Sequence, residues 1–437
     1  MRFLSFFLYF TTIYRTFSPF RQRRFVMESN IKIIGEGLYR FQSAINENGI
    51  NLEDYIKEHY LNKWISDELY HVSAIRTSMI GAATRFLVNE GLLNLERVML
   101  SIITDPLAHD IEHTPSIKYK GHTYLTTHSM IYSKFLACTN PNVRGIFVDS
   151  PNIRLEIESP MGTQRGRYLA DFSQIDIELR RNRGITLDDY YGNRKRVEEI
   201  LAEDMRIVMN FFERMIIAMC EEVNTRNPES LRSLGVKLEV PQSPFPVFPK
   251  DHLVQKYGPR GYEEKAGTET NSQFFWVTGL LRENYDLVYP YLLPGGKKVP
   301  MEEITSSMIY NYDICAKSID AKTGKQSLAT EILSGAIREW LYEPIIERII
   351  DNKVLPARPV IRDGNIVNID ELGGYGPFLY FASMKKSDGS PYFPDTMGGG
   401  IGVERTLYAI LRGDAIRKID DVTFFGKNPD SQPLYLY

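Results

Sequence analysis

Four glycines crowd into the five positions from Gly398 to Gly402, and an acid–base pair and an apolar helical pattern follow them directly. Because glycine has no side chain, the backbone here can approach a ligand closely. Leu407, Ile410 and Leu411 recur at helical spacing, so the stretch predicts a turn that leads into a helix. Helix N-termini favour anions, and the arginine of the pair suggests phosphate. The alternative is a tight turn with a surface arginine, and the spacing matches neither the P-loop nor the dinucleotide fingerprint.

A second stretch, from Ile153 to Leu179, predicts two paired strands with polar faces. Arg154, Glu156 and Glu158 alternate along the first strand and therefore share one face. Arginines bind phosphate oxygens and an aromatic ring stacks on a base, so these strands could hold a nucleotide. A solvated sheet face with ion pairs is the alternative. The polar face of the second strand and the loop between the strands carry Phe172, Gln174, Asp176, Glu178, Arg165 and Arg167.

Composition is that of an ordinary globular protein. Of the 437 residues, 43% are hydrophobic and 24% are charged, and the net charge of −3 provides no overall basic field for nucleic acid. Three widely separated cysteines without a CxxC pair, together with few histidines, indicate neither a disulfide framework nor a zinc site and favour a reducing compartment.

Residues 1–26 have a different character, with five arginines and no acid. The apolar run ends at Arg15 without the small residues of a secretory cleavage site. It is too short to predict a membrane span. We expect a leader or upstream extension ahead of Met27 and a cytoplasmic protein with no membrane partner. A mitochondrial presequence is the alternative.

Blocks of strand and helix patterns follow. Residues 27–70 predict a short helical N-terminal segment, and residues 71–437 predict one larger domain. Within it we expect an amphipathic helix from Ile75 to Leu92 and a long helix from Asp188 to about Val223. Runs of strands with segregated helices predict an α+β fold around a mostly antiparallel sheet.

The two polar stretches together resemble the motifs of class II aminoacyl-tRNA synthetases. Arg-x-Glu, an arginine-bearing loop and "YLADFSQIDIE" resemble motif 2 of the aspartyl/asparaginyl branch, and the glycine stretch resembles motif 3. "EILSGAIR" places Glu331 and Arg338 seven residues apart, as that branch spaces a metal-binding glutamate and a carboxylate-binding arginine. The resemblance runs from about Val72 to the C-terminus. It implies a class II antiparallel sheet flanked by helices.

The resemblance also implies roles for the matched residues. Arg154 would hold the α-phosphate of ATP and Arg405 the terminal phosphate, both as catalytic residues. A guanidinium suits a carboxylate, and two acids suit Mg²⁺. The implied ATP-binding residues are Arg154, Glu156, Arg167, Phe172, Gly400, Gly402 and Arg405. The implied amino-acid-binding residues are Gln174, Asp176 and Arg338. The implied Mg²⁺ ligands are Asp313 and Glu331.

The family's amino-acid pocket segment, "TQSPQLYKQ", has two placements on Tyr124–Lys134. A gapless placement puts Ser133 where aspartyl enzymes keep a lysine. A shift by one residue puts Lys134 there and recovers Ser129. The identity of the amino acid therefore stays open.

Residues 27–70 show no alternating pattern for the five-stranded OB barrel with which these synthetases bind an anticodon. We therefore expect an ATP-dependent ligase that adenylates an acidic amino acid, aspartate or an analogue, and transfers it to ammonia or a small amine, like the asparagine-synthetase relatives of the branch. The alternative is an aspartate or asparagine tRNA ligase of unusual architecture, with tRNA as a less favoured partner. A non-catalytic binding module is the third hypothesis. The helix Ile75–Leu92 resembles the motif 1 helix and predicts a homodimer.

Overall fold

The computed structural model describes residues 52–102, 115–154, 169–181, 183–281, 285–351, 355–362 and 365–425. The chain divides after Ile65 into two compact units. In the first unit the described residues are helical, with α1 (Leu52–Ile56), a π-helical turn (Lys57–Leu61) and α2 (Asn62–Trp64). Residues 1–26, the expected leader, lie outside the described residues, and the division into leader, helical segment and larger domain stays a prediction.

The second unit, residues 66–428, contains all the strands of the described chain. These strands are β1 (Leu93–Asn94), β2 (Leu100–Ser101), β3 (Ser116–Tyr119), β4 (His122–Thr126), β5 (Gly145–Ile153), β6 (Asp171–Arg180), β7 (Val236–Lys237), β8 (Val247–Pro249), β9 (Phe274–Thr278), β10 (Asn311–Ala316), β11 (Ile319–Asp320), β12 (Thr330–Ile337), β13 (Ile361–Arg362), β14 (Asn365–Ile366) and β15 (Thr396–Gly402). Its α-helices are α3 (Asp67–Asn89), α4 (Ile131–Ala137), α5 (Leu187–Gly192), α6 (Arg194–Arg226), α7 (Pro228–Ser233), α8 (Lys250–Tyr257), α9 (Tyr262–Ala266), α10 (Tyr342–Asp351), α11 (Gly376–Ser383) and α12 (Val403–Leu411). None of the described helices is both long and apolar enough to cross a membrane.

The main sheet confirms the predicted fold class. Within the described residues eight strands pair in the order β1–β5–β6–β15–β12–β10–β9–β8. The five central pairings are antiparallel, and only the outer pairs β1–β5 and β8–β9 are parallel. The architecture is therefore an α+β fold with a mostly antiparallel sheet and flanking helices.

Two predicted helices differ in their bounds. The helix expected from Ile75 begins eight residues earlier, at Asp67, because the Ser66 hydroxyl accepts a hydrogen bond from the Leu69 amide at 3.2 Å and caps it. The single helix expected from Asp188 is two helices, α5 and α6. Asn193 separates them with φ −133° and ψ 58°, which is outside the helical region.

The sheet has one apolar and one polar face. Ile175 and Ile177 on β6 and Ile401 on β15 belong to the main core together with residues of α3, α6 and α12. Alternation along β6 then turns Gln174, Asp176 and Glu178 to the opposite face. The apolar face is packed against helices, so the polar face is the one available for chemistry.

Candidate active site

The polar face carries a row of directly opposed residues across four central strands. Asp176 on β6 faces Gly400 on β15, Gly400 faces Ser334 on β12, and Ser334 faces Asp313 on β10. Opposed residues of antiparallel strands point to the same side of a sheet. Three of the residues named from the motifs, Asp176, Gly400 and Asp313, therefore share one face of the fold, although the two most distant of them are 224 positions apart in sequence (400 − 176).

Glycines keep this face open next to the acids of β6. A methyl group at Gly400 would lie 2.8 Å from Asp176 Oδ1, and one at Gly398 would lie 2.1 Å from the backbone oxygen of Ile177 and 2.5 Å from Glu178 Oε2. A methyl group at Gly402 would meet only ordinary contacts, the nearest being Arg405 Cβ at 3.4 Å. Close packing against β6 therefore accounts for the first two glycines, through a carboxylate at Gly400 and mainly through the backbone at Gly398, whereas packing within the chain does not account for Gly402.

Arg154 and Phe172 lie together at one end of the face. The Arg154 guanidinium stands over the Phe172 ring, 5.2 Å from its centroid. Its Nε and Nη2 donate to the backbone oxygen of His128 at 3.2 and 3.0 Å. The residues predicted for phosphate and adenine binding are thus adjacent. Glu156 and Arg167, predicted to join them, lie outside the described residues.

Gln174 has its amide orientation set by a neighbour on β5. The buried Asn152 donates from Nδ2 to Gln174 Oε1 at 3.1 Å and to the Ser150 carbonyl at 3.1 Å. Asn152 carries no motif, and reasoning from the sequence did not identify it.

Five further charged residues of this site are buried, and we call them the buried charge cluster: Lys134, Asp176, Glu178, Asp286 and Arg338. Lys134 Nζ lies 2.9 Å from Asp176 Oδ1 and 3.9 Å from Glu178 Oε2. Arg338 Nε lies 3.3 Å from Glu178 Oε1, and its Nη1 lies 3.0 Å from Asp286 Oδ1. Burial by itself lowers the pKa of Arg338, but Glu178 and Asp286 outweigh it and raise that pKa above its usual value.

This cluster decides between the two placements of the pocket segment. Lys134, not Ser133, contacts Asp176, so the placement shifted by one residue is the one that the structure supports. The segment is a strand only as far as Thr126 and becomes helix α4 at Ile131. The helix turns Lys134 inward, where its side chain is 2% exposed.

Asp286 was not identified from the sequence. It lies in a stretch without regular periodicity, and its one signal is a lone acid between aromatic and aliphatic residues. Asn311 Nδ2 donates to Asp286 Oδ2 at 2.9 Å, so each carboxylate oxygen has a partner.

The two predicted metal ligands lie on neighbouring strands. β12 has one extra residue where Ile314 and Cys315 pair with Leu333 and Glu331, and such a bulge re-aims the following side chain. Cys315 pairs with Glu331 across the two strands. Burial raises the pKa of its thiol, and Glu263, Asp313 and Glu331 raise it further. Carboxylate oxygens are the donors that Mg²⁺ takes.

Within the described residues no three His, Cys, Asp or Glu side chains group as a metal site. Glu331 Oε1 lies 3.3 Å from Arg405 Nη1, which brings a predicted metal ligand next to the predicted phosphate-binding arginine. Two protein carboxylates with ATP oxygens would suit Mg²⁺, and the Mg²⁺ site stays a prediction.

Comparison with known proteins places the geometry in context. No family model matches the chain. It is 22% identical over 352 residues to the aspartate–tRNA(Asp) ligase of Pyrococcus furiosus, a match that covers 79% of this chain and 66% of that protein. The chain thus spans just under two thirds of the length of this curated relative.

Solved structures share the fold. The asparaginyl-tRNA synthetase of Pyrococcus horikoshii, complexed with asparaginyl-adenylate, superposes with a TM-score of 0.58 at 16% identity, over 83% of this chain and 70% of that chain. The aspartyl-tRNA synthetase of Entamoeba histolytica gives a TM-score of 0.51 at 18% identity, over 83% and 59% of the two chains. At such identities the likeness shows the fold.

Proposed function

We propose that this chain is an ATP-dependent ligase that activates an amino acid as its adenylate and transfers it to tRNA. Its fold is that of a class II aminoacyl-tRNA synthetase catalytic domain of the aspartyl/asparaginyl branch. The observation that carries the proposal is the shared polar face. Arg154 and Phe172 lie at one end, the buried charge cluster lies beside them, and the Glu331–Arg405 pair links β12 to the first turn of helix α12.

The arrangement supports adenylate formation in the following way. Phe172 would stack on adenine, Arg154 would hold the α-phosphate and Arg405 the terminal phosphate. An oxygen of the amino acid's α-carboxylate attacks the α-phosphorus in line, the bond to the β-phosphate bridging oxygen breaks, and diphosphate leaves. The guanidinium groups stabilise the negative charge that builds up on the phosphates, and the cluster positions the amino acid. Mg²⁺ at Asp313 and Glu331 would supply further charge neutralisation.

The acceptor is better supported as tRNA than as ammonia. The expectation of a small amine rested on the pattern of residues 27–70, of which residues 27–51 lie outside the described structure. The relatives that match the chain are named as ligases of tRNA. Transfer of an acyl-adenylate to either acceptor uses the same activation step, so the first half-reaction is common to both hypotheses.

Purified protein tested for ATP–diphosphate exchange with each amino acid, in the presence of Mg²⁺, measures activation directly. We expect exchange with a small polar amino acid, and then tRNA-dependent, RNase-sensitive incorporation of that labelled amino acid into acid-precipitable material. Amide formation with ammonia and no dependence on tRNA would restore the small-amine hypothesis. Absence of exchange with any amino acid would refute the ligase proposal.

A second copy of the chain is the proposed protein partner. The apolar stripe of α3 that predicted the dimer, including Ile75 and Met79, is buried in the chain's own core. Exposed apolar side chains instead occur near β1 to β3, at Leu93, Met99 and Tyr119. Such residues are candidates for a two-fold contact.

A further inference from the structure

The buried charge cluster contains more negative than positive charge. Lys134 and Arg338 are its two cations, and Asp176, Glu178 and Asp286 are its three carboxylates. Each of these side chains is 5% exposed or less. Water therefore screens them weakly, and a further buried negative charge would be unfavourable.

Asp286 is held next to Arg338 by the backbone as well as by its side chain. Residues 286 and 338 form an antiparallel bridge. On either side, the Glu339 amide donates to the Tyr285 carbonyl at 2.9 Å, and the Leu287 amide donates to the Ile337 carbonyl at 2.9 Å. The backbone just beyond the end of β12 consequently holds Asp286 next to Arg338.

Two carboxylate oxygens of the cluster lack a hydrogen-bond donor within the described residues. These are Asp176 Oδ2 and Glu178 Oε2, and both are buried. Lys134 Nζ lies 3.9 Å from Glu178 Oε2, which is beyond hydrogen-bond distance. A side-chain amide that reaches these oxygens would supply N–H donors to them, whereas a side-chain carboxylate in the same place would supply acceptors only.

We infer that Asp286 is a specificity-determining residue because it offsets the charge of Arg338. The site would then favour an amino acid with an uncharged side chain that donates hydrogen bonds. It would disfavour an amino acid whose side chain is a carboxylate. The inference rests on the proposed function, since it concerns the amino acid that is activated. The discrimination combines attraction by the acceptors with repulsion by the surplus charge.

Asparagine and aspartate are a nearly isosteric pair of probes, differing in one donor and one charge. In ATP–diphosphate exchange with the full-length protein, we expect kcat/KM for asparagine to exceed that for aspartate by about tenfold or more. Asp286→Asn should shift this ratio toward aspartate by about tenfold. Asp395→Asn is the matched control, because it also removes a carboxylate that pairs with an arginine, Arg181, at 2.6 Å, and it should leave the ratio unchanged.

A ratio of kcat/KM values is insensitive to the fraction of folded enzyme, so partial loss of folding does not obscure the result. If Asp286→Asn does not fold, the wild-type ratio still decides. A wild-type preference for aspartate, or an unchanged ratio in Asp286→Asn, would overturn this inference and leave the ligase proposal intact. Exchange with no amino acid would overturn both.

Discussion

Substitution of single glycines on β15 separates a nucleotide-binding role from a packing role. Gly402 and Gly400 lie on the polar face, and neither has a positive φ, so the backbone at both positions accepts alanine. At Gly402 the added methyl would be 3.4 Å from Arg405 Cβ, an ordinary contact. At Gly400 it would be 2.8 Å from Asp176 Oδ1 and 3.3 Å from Gln174 Nε2.

These distances give different expected magnitudes. Gly402→Ala should leave the free energy of unfolding unchanged or raise it by about 0.4–1 kcal/mol, since alanine restricts the unfolded chain. Gly400→Ala should lower it by roughly 1–3 kcal/mol, because the carboxylate it meets is held by Lys134. If ATP packs on the bare backbone, Gly402→Ala should lower kcat/KM for ATP by roughly tenfold or more, because the added methyl group would crowd the bound nucleotide.

Urea unfolding and ATP-dependent diphosphate exchange test the two effects separately. Gly413→Ala is the control, because its methyl would lie 3.8 Å from Val236 Cγ1 and it is outside the site. A kcat/KM for ATP within twofold of wild type in Gly402→Ala would refute the argument that the glycine face binds the nucleotide.

Three further outcomes are expected. Arg405→Ala should reduce the rate of adenylation by about 10²–10³-fold. Its Tm should change little, since the partly exposed pair of Arg405 with Glu331 contributes about 0–1 kcal/mol to stability. A large fall in Tm would indicate a structural role instead. Burial raises the pKa of Glu339 from 4.5 to about 7, although the Leu341 and Trp340 amides lower it. The contribution of Glu339 to stability is therefore full below about pH 4.5 and is lost as the pH rises to about 7. The free energy of unfolding should fall by about 3 kcal/mol over this range. Glu339→Gln should therefore reduce the loss of unfolding free energy between pH 4.5 and 7.5, and an unchanged slope would contradict this. Sedimentation at micromolar concentration should give a dimer, and a monomer would count against the proposed two-fold contact.

Local periodicity predicted the polar face because a strand has only two faces. The alternation of Gln174 and Asp176 with Ile175 and Ile177 requires no knowledge of the partner strands. The glycines of β15 were likewise visible in sequence, and the structure places Gly400 opposite Asp176. These features are local, so the sequence was sufficient for them.

Long-range pairing was not predictable in the same way. Asp286 meets Arg338 across 52 positions (338 − 286) through a backbone bridge outside the regular strands. The bulge at β12 beside Glu331, and the non-helical backbone of Asn193 between α5 and α6, were not predicted from the sequence either. A single sequence does not specify which isolated acid will meet which arginine.

The two arginines that the motifs assigned to ligands differ in how easily they can change partners. Arg338 is held between two buried carboxylates, and breaking such a pair costs roughly 3–5 kcal/mol. Arg405 pairs with Glu331 at side-chain exposures of 27% and 31%, where the cost is about 0–1 kcal/mol. A phosphate can therefore draw Arg405 away from Glu331 at little cost, whereas Arg338 must recognise its ligand in place, with both carboxylates still bound. On the proposed function, the charges around Arg338, and not Arg338 alone, would then set which amino acid the site accepts.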